Sequence, residues 1–231
     1  MWNKIFQRLK FYRKIRFWEY LRLNHFCPQV IRTDQSHIIP YKHAVVDLAP
    51  GSKIYVGGGD LEIGCDSLRG SKEETRVRLR ENAVWSNQGG CRLSYGVTLE
   101  VLHGGLLDTQ FFTVNSNSVL IAAKKIRLGQ DVMIARNVVI YDSDHHTMLN
   151  AQREGINPDQ PILVGDHVWL TSNVTVLKGT QIGRNSVIGS NVVAHGHIPG
   201  NTLCKMSGEL RMQENYGSWN RQHPAERKKT N

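Results

Sequence analysis

Tyr141-Asp142-Ser143-Asp144-His145-His146-Thr147 is the part of this chain best equipped for proton transfer. Two imidazoles stand side by side with carboxylates on their N-terminal side. An imidazole titrates near ~6.5, so at neutral pH it can take a proton from a poorly acidic group. A carboxylate beside it can fix the tautomer and stabilise the imidazolium. Asp142, Asp144 and the more distant Glu154 are the candidates. Asp142 is favoured, because an adjacent residue such as Asp144 rarely folds back onto its neighbour's ring. No Ser or Cys stands beside the histidines in a nucleophile arrangement, so transfer without a covalent enzyme intermediate is expected.

What must position these residues is a repeat of period six. Leu128, Ile134, Ile140, Val164, Leu170, Val176, Ile182, Ile188 and Ala194 share one phase, and all are hydrophobic. At 40% hydrophobic content, nine of nine arises by chance with probability about 0.0003, or about 0.002 over six phases. Four residues after each aliphatic except Ile140, where the repeat breaks, comes a small or β-branched residue: Val132, Val138, Val168, Val174, Thr180, Ser186, Val192, Ile198. Asp131, Asn137, Asn173, Asn185 and Asn191 precede that residue, and Gly129, Gly165, Gly183 and Gly189 follow the aliphatic. Such a hexad makes a short strand and a tight turn, with Asn and Gly supplying the left-handed backbone. A period of six fits neither a helix nor an alternating strand.

The repeat breaks once, after Ile140. The excursion runs through residues 141–161, including Arg153-Glu154-Gly155-Ile156-Asn157, and the repeat resumes at Pro161-Ile162-Leu163-Val164. A loop thrown from a rigid coil is where function is usually carried. Before residue 112 the pattern is looser, although Phe112–Asn117 and Ser118–Ala123 still read as hexads, with Lys124-Lys125 as an extra corner.

The hexads, the Val138–His146 string, the Gly155-Ile156-Asn157 step and the Asp166-His167-Val168-Trp169 block resemble the hexapeptide-repeat acetyltransferases, and most of all the sugar O-acetyltransferases of capsule and lipopolysaccharide synthesis. The resemblance is good over residues 112–205. It implies an all-β, left-handed parallel β-helix with three hexads per triangular coil. It implies that His145 is the general base, with His146 and Asn115 at the acceptor. It implies acetyl-CoA as co-substrate, lying near Trp169, Thr171, Ser172, Ser190 and His195, with Lys205 and Arg211 near its phosphates and no metal. The stretch Cys204–Arg211 departs from the family pattern: it lacks the usual proline and carries Glu209. The acceptor implied is a polysaccharide or its sugar precursor, and the assembly a homotrimer with sites between subunits. An N-acetyltransferase on the same fold and a non-catalytic scaffold are the alternatives. A zinc site built from His145, His167 and His195 would be a third, without the spacing that such sites use.

Charge narrows the partners. The chain has 231 residues, 29 Lys+Arg, 20 Asp+Glu and a formal net charge of +9. The excess sits at the ends, in residues 1–22 and 221–231, and the body between them is balanced. A body-wide nucleic-acid surface is therefore excluded. Residues 2–22 place Trp2, Ile5, Phe6, Leu9, Tyr12, Ile15 and Trp18 near helical spacing between basic residues. They are expected to form an amphipathic helix that caps the coil end, lies on an anionic membrane face, or meets an anionic polysaccharide acceptor. The expected divisions are 1–51, a β-helix over 52–205, and a tail over 206–231. The four cysteines show no pairing motif and no apolar stretch approaches a membrane span or signal core, so a cytosolic chain with reduced thiols is expected.

Overall fold

The computed structural model describes residues 13–33, 35–206 and 208. Twenty-three short strands form three all-parallel sheets. Sheet I stacks β1 (Val30–Arg32), β4 (Lys53–Val56), β7 (Val84–Asn87), β10 (Leu106–Thr109), β13 (Lys125–Leu128), β16 (Ile162–Val164), β19 (Gln181–Ile182) and β22 (His197–Ile198). Sheet II stacks β2 (Ile38–Pro40), β5 (Leu61–Cys65), β8 (Cys91–Ser94), β11 (Phe112–Val114), β14 (Val132–Ile134), β17 (Trp169–Leu170), β20 (Val187–Ile188) and β23 (Leu203–Cys204). Sheet III stacks β3 (Ala44–Leu48), β6 (Thr75–Leu79), β9 (Thr98–Val101), β12 (Val119–Ala122), β15 (Val139–Tyr141), β18 (Thr175–Val176) and β21 (Val193–Ala194). Every third strand pairs, so the chain winds as a three-sided prism.

The hexad logic holds at the level of single residues. All nine phased aliphatics are buried, none more than 3% exposed. Asp131, Asn137, Asn173, Asn185 and Asn191 all have φ between 57° and 63°. Their side chains run up the corners as a ladder, Asn137 Nδ2 donating to Asn173 at 3.2 Å and Asn173 Nδ2 to Asn191 at 3.1 Å. The glycine after the aliphatic is needed for close approach: a Cβ on Gly183 would lie 2.3 Å from the backbone nitrogen of Gly200. Ile198 departs from its expected place. The last coil is two residues short, Gln181 pairing with His197, and Ile198 becomes an inward strand residue.

The coil begins at Val30 rather than at residue 52, because Val30 pairs with Ile54. Unequal coils hide this in the sequence. Ile54 lies level with Trp85, thirty-one residues on, whereas Leu163 lies level with Gln181, eighteen on. Extra residues at the corners shift the phase and erase the six-residue signal. The wider early coils are filled by Trp85 and Phe112, both fully buried.

The helix expected over residues 2–22 reduces, in its described part, to α1 (Phe17–Leu21) followed by a π-helical turn, Arg22–Phe26. Residues 1–12 lie outside the described residues. Ile15 is buried and pairs with Tyr41 instead of continuing the helix, and Trp18 is 80% exposed. This segment caps the first coil. Asn24 donates Nδ2 to the Ile38 carbonyl and accepts from the Ile38 amide, at 2.8 and 2.9 Å. Arg16, Arg22 and Gln29 donate to carbonyls of residues 44–49. A bare sheet edge is an invitation to end-to-end stacking, and these contacts close it.

Candidate active site

Residues 142–161 leave the prism at the edge between sheets III and I, after β15 and before β16. The excursion folds on itself as a hairpin: Leu149 bridges Gly155, and the Ile156 amide donates to Met148. Asn157 pins its base, donating Nδ2 to Asp144 and to the His146 carbonyl at 2.8 Å each and accepting from the Met148 amide at 2.7 Å. Lys178, on the next coil, donates Nζ to Asp144 and to the Asn157 carbonyl, the latter at 3.0 Å. Met148, Leu149 and Ile156 on the hairpin are all more than half exposed.

His145 sits at the mouth of this hairpin with φ +60°, a left-handed conformation that histidine adopts more readily than most residues. Its amide donates to Ser143 Oγ at 2.9 Å. The imidazole meets Tyr141 edge to face at 5.1 Å. Beside it lies a cleft of about 330 Å³ lined by Ser143, His145, His146, Gly155, Asn157 and Asp159 among others. Both histidines are exposed to it.

Neither Asp142 nor Asp144 is hydrogen-bonded to the imidazole. Asp142 is fully buried and faces inward. Its Oδ1 accepts the Ala123 amide at 2.6 Å, and its Oδ2 accepts those of Lys124 and Lys125 at 2.9 and 2.6 Å. It closes the extra corner of the coil below, where three amides turn inward together. Asp144 is held by Lys178 and Asn157, whose hydrogen bonds keep its carboxyl below the usual range. Glu154 bonds Asn150 within the hairpin. Tyr141 is the ring that packs against the His145 imidazole.

The remaining expected residues divide between two edges of the prism. His195 lies on the III/I edge with His145, two coils further on. Asn115, Thr171, Ser172, Ser190 and Lys205 line the II/III edge, with Trp169 facing outward from β17 at its side. Thr171 Oγ1 donates to the Ile188 carbonyl at 2.8 Å and lies 3.1 Å from Ser190 Oγ. Within one chain, therefore, Asn115 and His145 are not brought together. Arg211 lies outside the described residues. His167 is on the third edge, 2.7 Å from Asp131, so His145, His167 and His195 do not converge. No group of three His, Cys, Asp or Glu suited to a metal occurs among the described residues. Burial pushes the Cys65 thiol up to about 12 and Cys91 well above its usual value, which leaves neither suited to nucleophilic attack.

Sequence reading gave no role to Lys178, Asn157 or Tyr141. Lys178 follows from register: Ile140 pairs with Val176, so the residues two beyond each, Asp142 and Lys178, are level and Lys178 falls beside the excursion. Asn157 lies too far along an irregular loop for spacing to place it.

Residues 161–196 match the family model described as bacterial transferase hexapeptide (six repeats). The chain carries these repeats, and its coil is the left-handed parallel β-helix that they build. It is 33% identical over 121 residues to an Escherichia coli K12 protein named for lipopolysaccharide biosynthesis O-acetyl transfer, WbbJ, covering 47% of this chain and 60% of that one. It is 28% identical over 110 residues to galactoside O-acetyltransferase of the same organism, covering 46% and 54%. It is 39% identical over 69 residues to polysialic acid O-acetyltransferase of Neisseria meningitidis, covering 29% and 32%. The chain spans about half the length of the curated relatives that it matches first.

Proposed function

We propose that this protein transfers an acetyl group from acetyl-CoA to a hydroxyl of a bacterial polysaccharide, capsular or lipopolysaccharide, or of its sugar precursor. The observation that carries the reading is His145. The excursion that breaks the six-residue repeat presents an imidazole to a cleft, with a left-handed backbone and no hydrogen bond to its ring among the described residues. The similarity to proteins named as sugar O-acetyltransferases supports the same reading.

In this mechanism His145 removes the acceptor hydroxyl proton as the oxygen attacks the thioester carbonyl. The C–S bond breaks, the acetyl group is now bound to oxygen, and the CoA thiolate leaves and is protonated. Tyr141 holds the imidazole in place of a carboxylate. The hydroxyls of Thr171, Ser172 and Ser190 and the exposed ammonium of Lys205 offer the II/III edge for the amide-rich arm and phosphates of the donor.

Two edges must then meet, because His145 lies on one and Asn115 with the donor residues on another. A homotrimer satisfies this when the III/I edge of one copy faces the II/III edge of the next. In that arrangement the exposed Met148, Leu149 and Ile156 of the hairpin pack between them. On this reading the Asn115 amide of one copy stabilises the oxyanion at the site of its neighbour. The test is product analysis after incubation with acetyl-CoA and two acceptor sets, hydroxyl-only glycans and amino sugars. Ester products support the proposal, and amide products alone overturn the choice of acceptor.

A further inference from the structure

The II/III edge carries a second concavity, far from the hairpin. It lies at the first three coils, a cavity of about 800 Å³ between the Tyr41–His43 turn, the loop after β5 and the segment entering at Arg13. Arg13, Lys14, Lys42, Arg69, Lys72 and Arg92 line it. The one carboxylate in the lining, Asp66, is already bonded by Arg92 at 3.2 Å. The other five cations have no acidic partner within ion-pair distance among the described residues. They come from three separate stretches of chain, so folding assembles the cluster.

We propose that this cavity binds an anionic saccharide, carrying several phosphate or carboxylate groups, as the acceptor of the reaction. Five unpaired cations spread around one concavity suit several negative charges better than one. A concave wall does not suit a flat bilayer surface, and Leu68 is the one large apolar side chain exposed in the lining. Its position fits an acceptor: Arg92 pairs in register with Thr113, two residues before Asn115 on the same edge. Successive coils are about 4.8 Å apart, so an extended glycan held here reaches Asn115 within a few sugar units. The role as acceptor site rests on the acetyl-transfer reading, but the anion binding does not.

The experiment measures binding calorimetrically on the full chain, with no acetyl-CoA present. The probes are oligogalacturonate, inorganic pyrophosphate and neutral maltohexaose, at low and physiological salt. The expected result is anion binding that weakens with salt and falls about tenfold or more in Lys42→Ala/Arg69→Ala/Lys72→Ala. Lys53→Ala, on sheet I, should bind as the wild type does. All three substituted side chains are exposed and unpaired, and unchanged melting confirms that the variant folds. Preference for oligogalacturonate assigns carboxylated glycans, and preference for pyrophosphate assigns a diphosphate-linked sugar. Equal binding of maltohexaose, no binding of either anion, or anion binding unchanged in the triple variant overturns the proposal. Since no acetyl transfer is read, an inactive protein that binds as expected would count against the catalytic reading alone.

Discussion

Replacing Asp142 with alanine should unfasten one corner of the coil while leaving the His145 ring where it is. The carboxylate accepts three amides, from Ala123, Lys124 and Lys125, and is fully buried. An orphaned buried donor costs about 1–3 kcal/mol. With solvent reaching part of the cavity left behind, the three together cost roughly 3–6 kcal/mol. For a chain of this size each kcal/mol moves the midpoint by about 2–4 °C, so melting should fall by roughly 10 °C or more. Because coils stabilise one another only as neighbours, the loss should also be local. Hydrogen exchange read by mass spectrometry should show the amides of residues 123–125 deprotected, with those of residues 181–198 unchanged. Asp142→Asn keeps one acceptor oxygen but sets an NH2 against N–H donors, and it should be nearly as damaging. The reasoning is refuted if Asp142→Ala melts like the wild type, keeps those amides protected, and instead moves the pH midpoint of activity. That outcome would make Asp142 the partner of the imidazole.

Four further outcomes follow from the same contacts. Lys178→Met should leave melting nearly unchanged but loosen the hairpin, seen as faster proteolytic nicking within residues 148–155 and a lower kcat. The Asp144 carboxyl is held below its usual range by hydrogen bonds from Lys178 and then Asn157, so its contribution is present above the unfolded pKa and lost as pH falls through the folded one; the wild-type hairpin should therefore loosen in acid, read as faster nicking within residues 148–155, and Asp144→Asn should show that faster nicking already at neutral pH. Asn24→Leu removes both hydrogen bonds to Ile38 and should lower stability by about 2–4 kcal/mol, with end-to-end association visible by light scattering. Mixing His145→Ala with Asn115→Ala copies, by unfolding and refolding together, should restore activity to roughly a quarter of the sites if each site is shared between neighbours; no recovery would place both residues in one chain's site.

The regular half of the prism was legible because its sequence repeats at the same period as its backbone. Each phased aliphatic from Leu128 to Ala194 is buried, and each phased Asn or Asp occupies the left-handed corner. The first coils were not legible, since corner insertions such as residues 66–74 change the step between paired strands and the phase is lost. Ile15 and Asn24 show a second limit. Helical spacing led to one helix over residues 2–22, but in the described part pairing with Tyr41 and Ile38 at the bare edge decides the local structure. At the site, His145 was found because it stands where the repeat fails. Asp142 was misread because its three amide donors belong to the coil below, and no sequence spacing brings residues 123–125 to mind beside residue 142. The charge count carried a similar blind spot. A body with no net charge still gathers Lys42, Arg69, Lys72 and Arg92 at one corner, because loops far apart in sequence share an edge.

The most direct measurement of the central claim is acetyl transfer by wild type and His145→Ala, read as free CoA thiol released and as acetyl ester found on a hydroxyl glycan. Loss of a positioned general base should lower kcat by about 10²- to 10⁴-fold, with melting unchanged. A His145→Ala protein that transfers acetyl at the wild-type rate, with the same pH profile, would contradict the account.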